Sequence, residues 1–548
     1  MKSLKTKTYI ILCLICCIIG CNKSLDVDPR DKYSNDAVWK NIENLDLYIN
    51  SLYEALYTYS EIGGSNLTDG YTDLLKYAQT NMEPEHNRMN LRPNYLSPAS
   101  AEVLSPWAKS YGQIKALNEF IINASKYGNK IDAKQLQVRL AEIRFLRAFL
   151  YHKLIIRHGG VVMRADNEKL DGPAEKNKKR SSREESWNWV ITELKTVAEM
   201  LPEAWDAANT GRITRAAAYG IMARSALYAE KWDEAILAAR KVEELASRKG
   251  LYQLMNNFDD IFYSPHNKEI ILAAYYKKPT LTHTFDQLFS PTGDLERYGG
   301  SASPTEELAE KFDIQINGQW QPFDWSNPLH SATPYQQRDP RFYSTILYNG
   351  ADWKGRQVET FIGGKDGYIE YFDGNARNRT VTGYFIRKYL DSSPKDFVQE
   401  RSDQYWIEMR YAEIVLILSE AYAKKGDYGL AYNYLNKIRN RPSVGLPNLP
   451  IKSTWVTYLN DLQKEKVCEF AFEGQRYWDL RRWKIAQSTL DGKRMHGIEI
   501  TKKEDILNYK LVDCDKANHY FPERYYTVPI PEFEIRNNTA CLQDPLWQ

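Results

Sequence analysis

The sequence has little cysteine and no excess of charge of either sign. Of its seven cysteines, only Cys468, Cys514 and Cys541 lie beyond residue 21, and these three lack the CxxC spacing of a zinc site. Cys514 and Cys541 could pair in an oxidising compartment, but so few thiols cannot hold together a chain of 548 residues. Lysine and arginine total 73 against 71 acidic residues, so the basic excess typical of a duplex-binding protein is missing.

Short catalytic motifs are also missing. The sequence contains no HExxH, no phosphate-binding GxxxxGKS/T, no dinucleotide-binding GxGxxG and no GxSxG nucleophile elbow. Its eight histidines are scattered singly. Carboxylates are plentiful, and a glycosidase pair can come from distant parts of a chain, so a glycosidase stays open. The motifs otherwise predict a protein without catalytic residues, a bound metal or a cofactor.

What is present begins with an export signal. Several lysines precede an apolar run at residues 9–19, which is too short to span a bilayer. Gly20 and Cys21 follow in an arrangement that resembles the bacterial lipobox, where cleavage occurs just before a cysteine that is then acylated. We therefore expect a lipoprotein signal peptide at residues 1–20 and a lipid anchor on Cys21. The alternative is an ordinary signal peptide that happens to contain cysteines.

Helical periodicity runs through much of the remaining chain. Between residues 38 and 56, apolar side chains recur every three or four positions, which predicts an amphipathic helix capped near Ser34 or Asn35. The same spacing returns in WAKSYGQIKALNEFIINASKY and in LAEIRFLRAFLYHKLIIRHGG, where a Gly-Gly pair ends the helix. These segments predict a mainly α-helical protein.

Two of the helical segments also resemble each other. AYGIMARSALYAEKWDEAILAARKV and YAEIVLILSEAYAKKGDYGLAYNYLNKI share a small residue in the first helix, an aromatic residue at the turn and an alanine three positions on. The matched positions are Ala223 with Ser419, Trp232 with Tyr428, and Ala235 with Ala431. The pattern resembles the tetratricopeptide helix pair, although any two antiparallel amphipathic helices would show part of it.

Between the two pairs, from about residue 275 to 397, glycine, proline, asparagine, aspartate and aromatic residues dominate. Such a long stretch without helical periodicity is usually a functional elaboration on a scaffold, and its last part predicts short strands. Trp320, Trp325 and Trp353 lie in this insert among short polar residues, and Tyr298 precedes a Gly-Gly pair. Because these rings combine a flat apolar surface with a polar group, they are our first candidates for ligand binding.

The segment FEGQRYWDLRRW concentrates arginines, aromatic rings and acids near the C-terminus. On a helix over residues 462–483, Glu473 would face Arg476, and Asp479 would face Arg482, at i,i+3 spacing. The charges would then neutralise one another within the segment. We interpret it as a structural network in the interior rather than as a nucleic-acid platform or a ligand site.

The same segment carries a family resemblance. LQKEKVCEFAFEGQRYWDLRRWKIA is similar to the signature of the SusD/RagB family, and the resemblance extends along the chain through AEIRFLRAFLY, RDPRFY and VPIPEFEIRNN. Lys464 and Lys466 flank Glu465 where the family often has Glu-Arg, and the ending LQDPLWQ also departs from the usual pattern. The resemblance implies a mainly α fold, with tetratricopeptide-like helix pairs and a loop-rich insert with short strands. It also implies two regions after the signal peptide, 21–265 and 266–548.

The function that the resemblance implies is nutrient binding. It describes a surface-exposed outer-membrane lipoprotein, not an enzyme and without a cofactor, that binds oligosaccharide or polysaccharide. The protein would deliver this ligand to a SusC-like TonB-dependent transporter. Binding faces in the family also draw on the early irregular stretch, which here offers Tyr71, Asp73 and Asn94 as hydrogen-bonding partners. The alternatives are a peptide-binding RagB-like protein, a lipoprotein glycosidase, and a repeat scaffold for protein partners alone.

Overall fold

The structure is a computed structural model that describes residues 35–63, 67–78, 83–164, 168, 176–294, 298–369 and 379–548. The expected signal peptide at residues 1–20 and its lipidation site, Cys21, lie outside these ranges. Within the ranges, no helix has both the length and the apolar character needed to cross a membrane.

Helices form most of the scaffold, as the periodicity predicted. The longer ones are α1 Ile42–Leu52, α2 Glu85–Leu91, α3 Trp107–Tyr127, α4 Ala133–His158, α5 Arg183–Met200, α6 Arg215–Tyr228, α7 Trp232–Lys249, α8 Tyr411–Lys424, α9 Tyr428–Arg439, α10 Trp455–Phe470 and α11 Arg476–Arg482. Shorter helices are Asn35–Val38, Glu54–Tyr57, Asp260–Tyr263, Phe285–Phe289, Glu306–Ala309, Pro328–Ala332, Pro340–Thr345, Ala486–Leu490 and Glu532–Asn537. The mainly α fold class is therefore confirmed.

The helices α3 to α9 pack in chain order, each against the next. The predicted helix pairs are α6–α7 and α8–α9, and α7 packs directly against α8 although the insert separates them in sequence. The small residues act as expected, because buried Ser419 donates a hydrogen bond to the carbonyl of Ala431 at 2.6 Å. The two pairs thus form one continuous array rather than two separate units.

A close approach between α6 and the strand that follows the insert depends on Gly220. A Cβ atom at this position would lie 2.3 Å from the sulfur of Met409, well inside van der Waals contact. The absence of a side chain therefore lets α6 pack directly against that strand.

Short antiparallel pairs of strands supply the β structure. They are β1 Leu75–Tyr77 with β3 Ala302–Pro304, β2 Ile270–Ala274 with β10 Trp406–Arg410, β4 Ile314–Ile316 with β5 Gln319–Gln321, β6 Ile346–Leu347 with β9 Phe385–Ile386, β7 Asp352–Trp353 with β8 Arg356–Gln357, and β11 His496–Lys503 with β12 Ile506–Asp513. Because β2 precedes the insert and β10 follows it, their pairing closes the insert at its base.

The predicted start of the first long helix was wrong. The first long helix begins at Ile42, and its cap is Asn41, whose side chain accepts a hydrogen bond from the Asn44 N–H at 2.9 Å. This cap separates the long helix from the short helix Asn35–Val38. The apolar periodicity between residues 38 and 56 therefore continues across a break between two helices. The pairing of Cys514 and Cys541, which the sequence left open, is absent, because both cysteines are buried and free.

FEGQRYWDLRRW does not lie on one helix. The chain leaves α10 and turns through Phe472 at φ 66° and Gly474 at φ 68° before α11 begins. A Cβ atom on Gly474 would lie 2.6 Å from a Glu61 carboxylate oxygen, so a side chain here would force the turn to move. The predicted Asp479–Arg482 pair forms at 2.7 Å.

The expected Glu473–Arg476 pair is replaced by longer-range partners. Arg476 binds Asp73 through two hydrogen bonds of 2.9 and 2.8 Å. Glu473 binds Arg410 at 2.7 Å and Lys388 at 3.0 Å. The interior network that we predicted is therefore present, but it joins distant parts of the chain.

We call this set of buried charges the ion network. Its members are Lys388, Arg341, Arg410, Arg439 and Arg441 with Asp339, Glu269, Glu465, Glu469 and Glu473. Glu469 lies at its centre, at 2.7 Å from Arg410, 2.8 Å from Arg441 and 3.1 Å from Arg341. Burial raises the pKa of Glu469, but the facing guanidinium groups outweigh it and hold that pKa well below its usual range.

Removing one acid from the ion network should destabilise the fold strongly. We expect Glu469→Ala to lower the free energy of unfolding by about 3–5 kcal/mol, because it leaves buried guanidinium groups uncompensated. The control is Glu54→Ala, which removes an exposed pair with Lys109 and should cost about 0–1 kcal/mol. Urea unfolding followed by circular dichroism measures both, and equal effects would contradict the structural role of the network.

Candidate functional site

The early irregular stretch and the insert meet at one edge of the scaffold. In the pairing of β1 with β3, Lys76 lies opposite Ser303. Thr305 extends the contact, since its N–H donates to the Leu74 carbonyl at 3.0 Å and its hydroxyl donates to the Asp73 carbonyl at 2.5 Å. The structure therefore brings together the two segments from which the candidate residues were taken.

Tyr298 lies at the surface on a firmly held backbone. Its side chain is 41% exposed. The two glycines that follow are tied to a neighbouring helix end, with Gly299 N–H donating to the Gln287 carbonyl at 2.9 Å and Gly300 N–H to the Ser290 carbonyl at 3.0 Å. A Cβ atom on Gly299, at φ 86°, would lie 2.4 Å from the Ser290 oxygen, so only glycine fits there. The ring of Tyr298 is thus presented from a fixed position.

Trp320 lies on a hairpin that we did not predict. The strands β4 and β5 are joined by Asn317 and Gly318 at φ 51° and 78°, the left-handed pair that a two-residue turn requires. Trp320 is opposite Gln315 and half-buried. In the described part of the chain no other ring packs against it, and no hydrogen bond joins it to Tyr298. Its indole is therefore outside the aromatic core of the insert.

Trp325 is half-buried and held at its polar edge. Its indole N–H donates to one oxygen of Glu306 at 2.8 Å, and the Tyr384 hydroxyl donates to the other at 2.6 Å. The ring itself packs edge-on against Phe323 at 5.2 Å and tilted against Tyr509 at 5.8 Å. Burial raises the pKa of Glu306 to about 8, against the lowering effect of the two hydrogen bonds. Sequence reasoning missed Glu306, because its partners come from distant segments.

Trp353 belongs to the support beneath this surface. It is 3% exposed, and its indole N–H donates to Asp294 at 2.5 Å. Arg356 binds Asp294 at 2.8 Å and Asp366 at 2.6 Å, and Asp366 accepts the Gly293 N–H at 2.8 Å. This clamp holds Gly293 and Asp294 in place.

The three early candidates divide between interior and surface. Tyr71 is buried and stacks on His86 at 4.2 Å, while Asp73 is occupied by Arg476. Asn94 is exposed at φ 61° and accepts hydrogen bonds from C-terminal side chains, including the Tyr520 hydroxyl at 3.3 Å. A direct contact with a ligand is therefore open to Asn94, whereas Tyr71 and Asp73 would first have to leave their partners.

We call Tyr298, Trp320, Trp325 and Asn94 the insert face. It combines aromatic rings with amide and hydroxyl groups, and a flat ligand with hydrogen-bonding edges fits such side chains. Among the described residues, no group of three histidine, cysteine or acidic side chains is arranged to hold a metal ion. The role of these four residues and of Tyr71, Asp73 and Trp353 in ligand binding stays a prediction.

Comparison with protein families gives two matches. The model of the SusD family matches residues 268–547, and a model described as "Starch-binding associating with outer membrane" matches residues 23–227. SusD-like protein P2 of Formosa agariphila is 25% identical over 566 aligned residues, which cover 100% of both chains.

Solved structures share the fold. A SusD-like protein from Bacteroides fragilis has a TM-score of 0.79 at 24% identity, covering 94% of this chain and 99% of its own. A SusD-like carbohydrate binding protein from the same species has a TM-score of 0.77 at 23% identity, covering 92% and 100%. The similarity thus extends over the helical scaffold and the insert together.

The buried carboxyl of Glu306 should make stability depend on pH. Its pKa rises from about 4.5 to about 8 on folding, so its contribution is full below the unfolded value and is lost as pH rises through 8. We expect the melting temperature of the wild type to fall roughly 2–4 °C more than that of Glu306→Gln between pH 6 and 9.

Scanning calorimetry at both pH values tests this expectation. Glu504→Gln, at an exposed position in the β11–β12 turn, is the matched control and should follow the wild type. An equal fall in the melting temperature of all three proteins would mean that Glu306 ionises in the folded state without a loss of stability.

Proposed function

The chain belongs to the SusD family, and from this premise we propose that it is a surface-exposed outer-membrane lipoprotein that binds glycans. In this proposal it is not an enzyme, and it delivers oligosaccharide or polysaccharide to a partner SusC-like TonB-dependent transporter. The full-length likeness to SusD-like proteins carries the proposal, since one of them is described as carbohydrate binding.

The insert face supplies the binding surface in this proposal. Tyr298 and Trp320 form its platform, because both rings reach the surface and neither is packed into the aromatic core. Trp325 borders the platform, and Asn94 offers an amide to ligand hydroxyl groups. Each such hydrogen bond would contribute only about 1 kcal/mol, so several contacts must act together.

In this proposal the N-terminus attaches the protein to the membrane, and the scaffold binds the transporter. Acylation of Cys21 would hold the protein on the outer membrane, in keeping with the family description of an association with that membrane. The transporter would bind the folded scaffold of the two regions 21–265 and 266–548. Several acyl chains together would bind the membrane stably, because each methylene buried in the bilayer contributes about 0.8 kcal/mol.

Two alternatives remain testable beside glycan binding. A RagB-like peptide-binding protein would use the same exposed rings for apolar side chains. A lipoprotein glycosidase would need a pair of carboxyl groups beside the ligand, about 5–10 Å apart, and would release products from the bound glycan. Incubation of the protein with a retained glycan, followed by chromatography of the products, separates binding from hydrolysis.

Removing the platform should abolish retention on a polysaccharide without unfolding the protein. We expect the double variant Tyr298→Ala/Trp320→Ala to lose retention on native gels that contain starch, laminarin, xylan or pectin. Its melting temperature and circular dichroism should stay close to those of the wild type, because neither ring is packed in the core.

The matched control is Tyr263→Ala/Phe533→Ala, which removes two rings that are each 39% exposed outside the insert face. This variant should be retained like the wild type. Full retention of the platform variant would remove the insert face from the proposal, and retention of a casein digest in place of every glycan would favour the peptide alternative.

Loss of the acylated cysteine should release the protein from the membrane. We expect Cys21→Ala to move the protein to the soluble fraction and to abolish incorporation of labelled palmitate. Cys17→Ala, in the apolar run of the leader, should leave both unchanged. Membrane association of Cys21→Ala at the wild-type level, with labelled lipid still incorporated, would contradict the assignment of the lipid anchor to Cys21.

A further inference from the structure

A second concavity lies on the helical scaffold. It is an open cleft of about 240 Å³ between the connector after α5, residues 203–214, and the segment that leads into and through β2, residues 251–275. The cleft shares no residue with the insert face. Its volume is below the ~300–1,000 Å³ of pockets for drug-sized ligands, so it admits one ring of a ligand rather than a whole chain.

Trp205 forms one wall of this cleft and is fixed in place. Its indole N–H donates to the Ile213 carbonyl at 2.9 Å. The guanidinium groups of Arg139 and Arg212 lie 5.0 and 5.1 Å from its ring centre. Because both arginines also bind Asp46, the indole is held on several sides and does not turn to fill the cleft itself.

Tyr275 and His266 also line the cleft. Their ring centres are 4.4 Å apart, and the backbone carbonyl of Tyr275 accepts the Tyr57 hydroxyl at 2.5 Å. Gly211, at φ 92°, brings the connector close, since a Cβ atom there would lie 3.3 Å from the Tyr275 ring. Rings from both segments therefore line the cleft, and the glycine lets the connector approach Tyr275 closely.

The charged groups around the cleft are mostly neutralised by the protein. Arg212 is paired with Glu142 at 2.9 Å, and Glu203 is shared among basic side chains, including Arg215 at 3.1 Å. Lys268 is exposed and forms no ion pair with any residue that the structure describes. One ammonium group therefore stands at the rim, and the cleft as a whole does not select for an anion.

The remaining polar groups are suited to hydroxyl groups. Tyr252 shares a hydrogen bond of 3.2 Å with the Thr214 hydroxyl, and Thr210 adds another hydroxyl at the exposed edge. Burial raises the pKa of Tyr275 and lowers that of His266, so the phenol stays protonated and the imidazole neutral at pH 7. Flat rings with a rim of neutral donors and acceptors match a ligand ring that has an apolar face and hydroxyl groups around its edge.

We propose that this cleft is a second carbohydrate subsite, which binds a single neutral pyranose unit between Trp205 and Tyr275. Lys268 and the hydroxyl groups of Tyr252 and Thr210 bind the sugar hydroxyls. The ligand class rests on the glycan-binding function proposed above, whereas the location does not. A glycan could therefore be held by the scaffold independently of the insert face.

Ligand-observed saturation-transfer NMR with the methyl glycosides of glucose, galactose, mannose and xylose tests the subsite. We expect the wild type to give a signal with at least one glycoside, and the Tyr298→Ala/Trp320→Ala variant to keep it. Added to that double variant, Thr210→Trp, which places a large ring at the exposed edge of the cleft, should abolish the remaining signal. Lys268→Ala in the same background should reduce it at least twofold.

Matched variants outside the cleft control for the substitutions themselves. Thr196→Trp on α5 and Lys134→Ala on α4 change exposed residues of the same types and should give the wild-type signal. Circular dichroism checks that each variant is folded. If Thr210→Trp does not fold, soaking wild-type crystals with the responding glycoside decides whether a sugar lies between Trp205 and Tyr275.

Three results would overturn the subsite. They are an unchanged signal in folded Thr210→Trp, a signal lost with the platform variant, and the absence of any signal from the wild type. In the last case, retention of the wild type on a polysaccharide gel leaves the proposed function standing without the subsite. Failure of both measurements overturns the function as well.

Discussion

The buried ion network is the constraint on which the rest of the structure depends. Five basic and five acidic side chains are removed from water together, and each would cost several kcal/mol if it were left alone. Arg410 at the end of β10 binds Glu269 just before β2, while Glu469 and Glu473 come from the end of α10 and the turn after it. The network therefore connects the base of the insert with the C-terminal helices. Each of its members is paired in this arrangement, and the pairs hold the irregular insert in position on the scaffold.

The scaffold was the part of the fold most accessible to sequence reasoning. Apolar spacing and small residues such as Ser419 depend on local geometry, and these features predicted the helix pairs. Breaks in the helices were not accessible in the same way, because they are set by tertiary contacts. At the turn, Gly474 lets the backbone pass close to Glu61. Glu473 forms an ion pair with Arg410 rather than with a neighbour on its own helix. Neither partner could be identified from spacing.

The candidate site, too, could be predicted from the sequence only in part. Composition located the insert and its tryptophans, but it could not distinguish a ring on the surface from one in the interior. Trp353 is buried because Asp294 and Arg356 lie beneath it, whereas Trp320 is half-exposed on a tight hairpin. The sequence does contain a signal for the hairpin, the Asn317-Gly318 pair between alternating residues. Composition alone does not reveal it. Glu306 has no such signal, since its two hydrogen-bond partners are distant in the chain.

The contact between α7 and α8 has a consequence for how the protein folds. Both helices bury small and apolar residues against each other, yet about 160 residues, which include the insert, must be synthesised between them. Contacts of such long sequence separation form slowly, because a large loop must close before they are made. Until α8 arrives, α7 is left with an uncovered apolar face on the partly made chain. Aggregation at this stage would therefore compete with folding more than it does in an uninterrupted helical repeat.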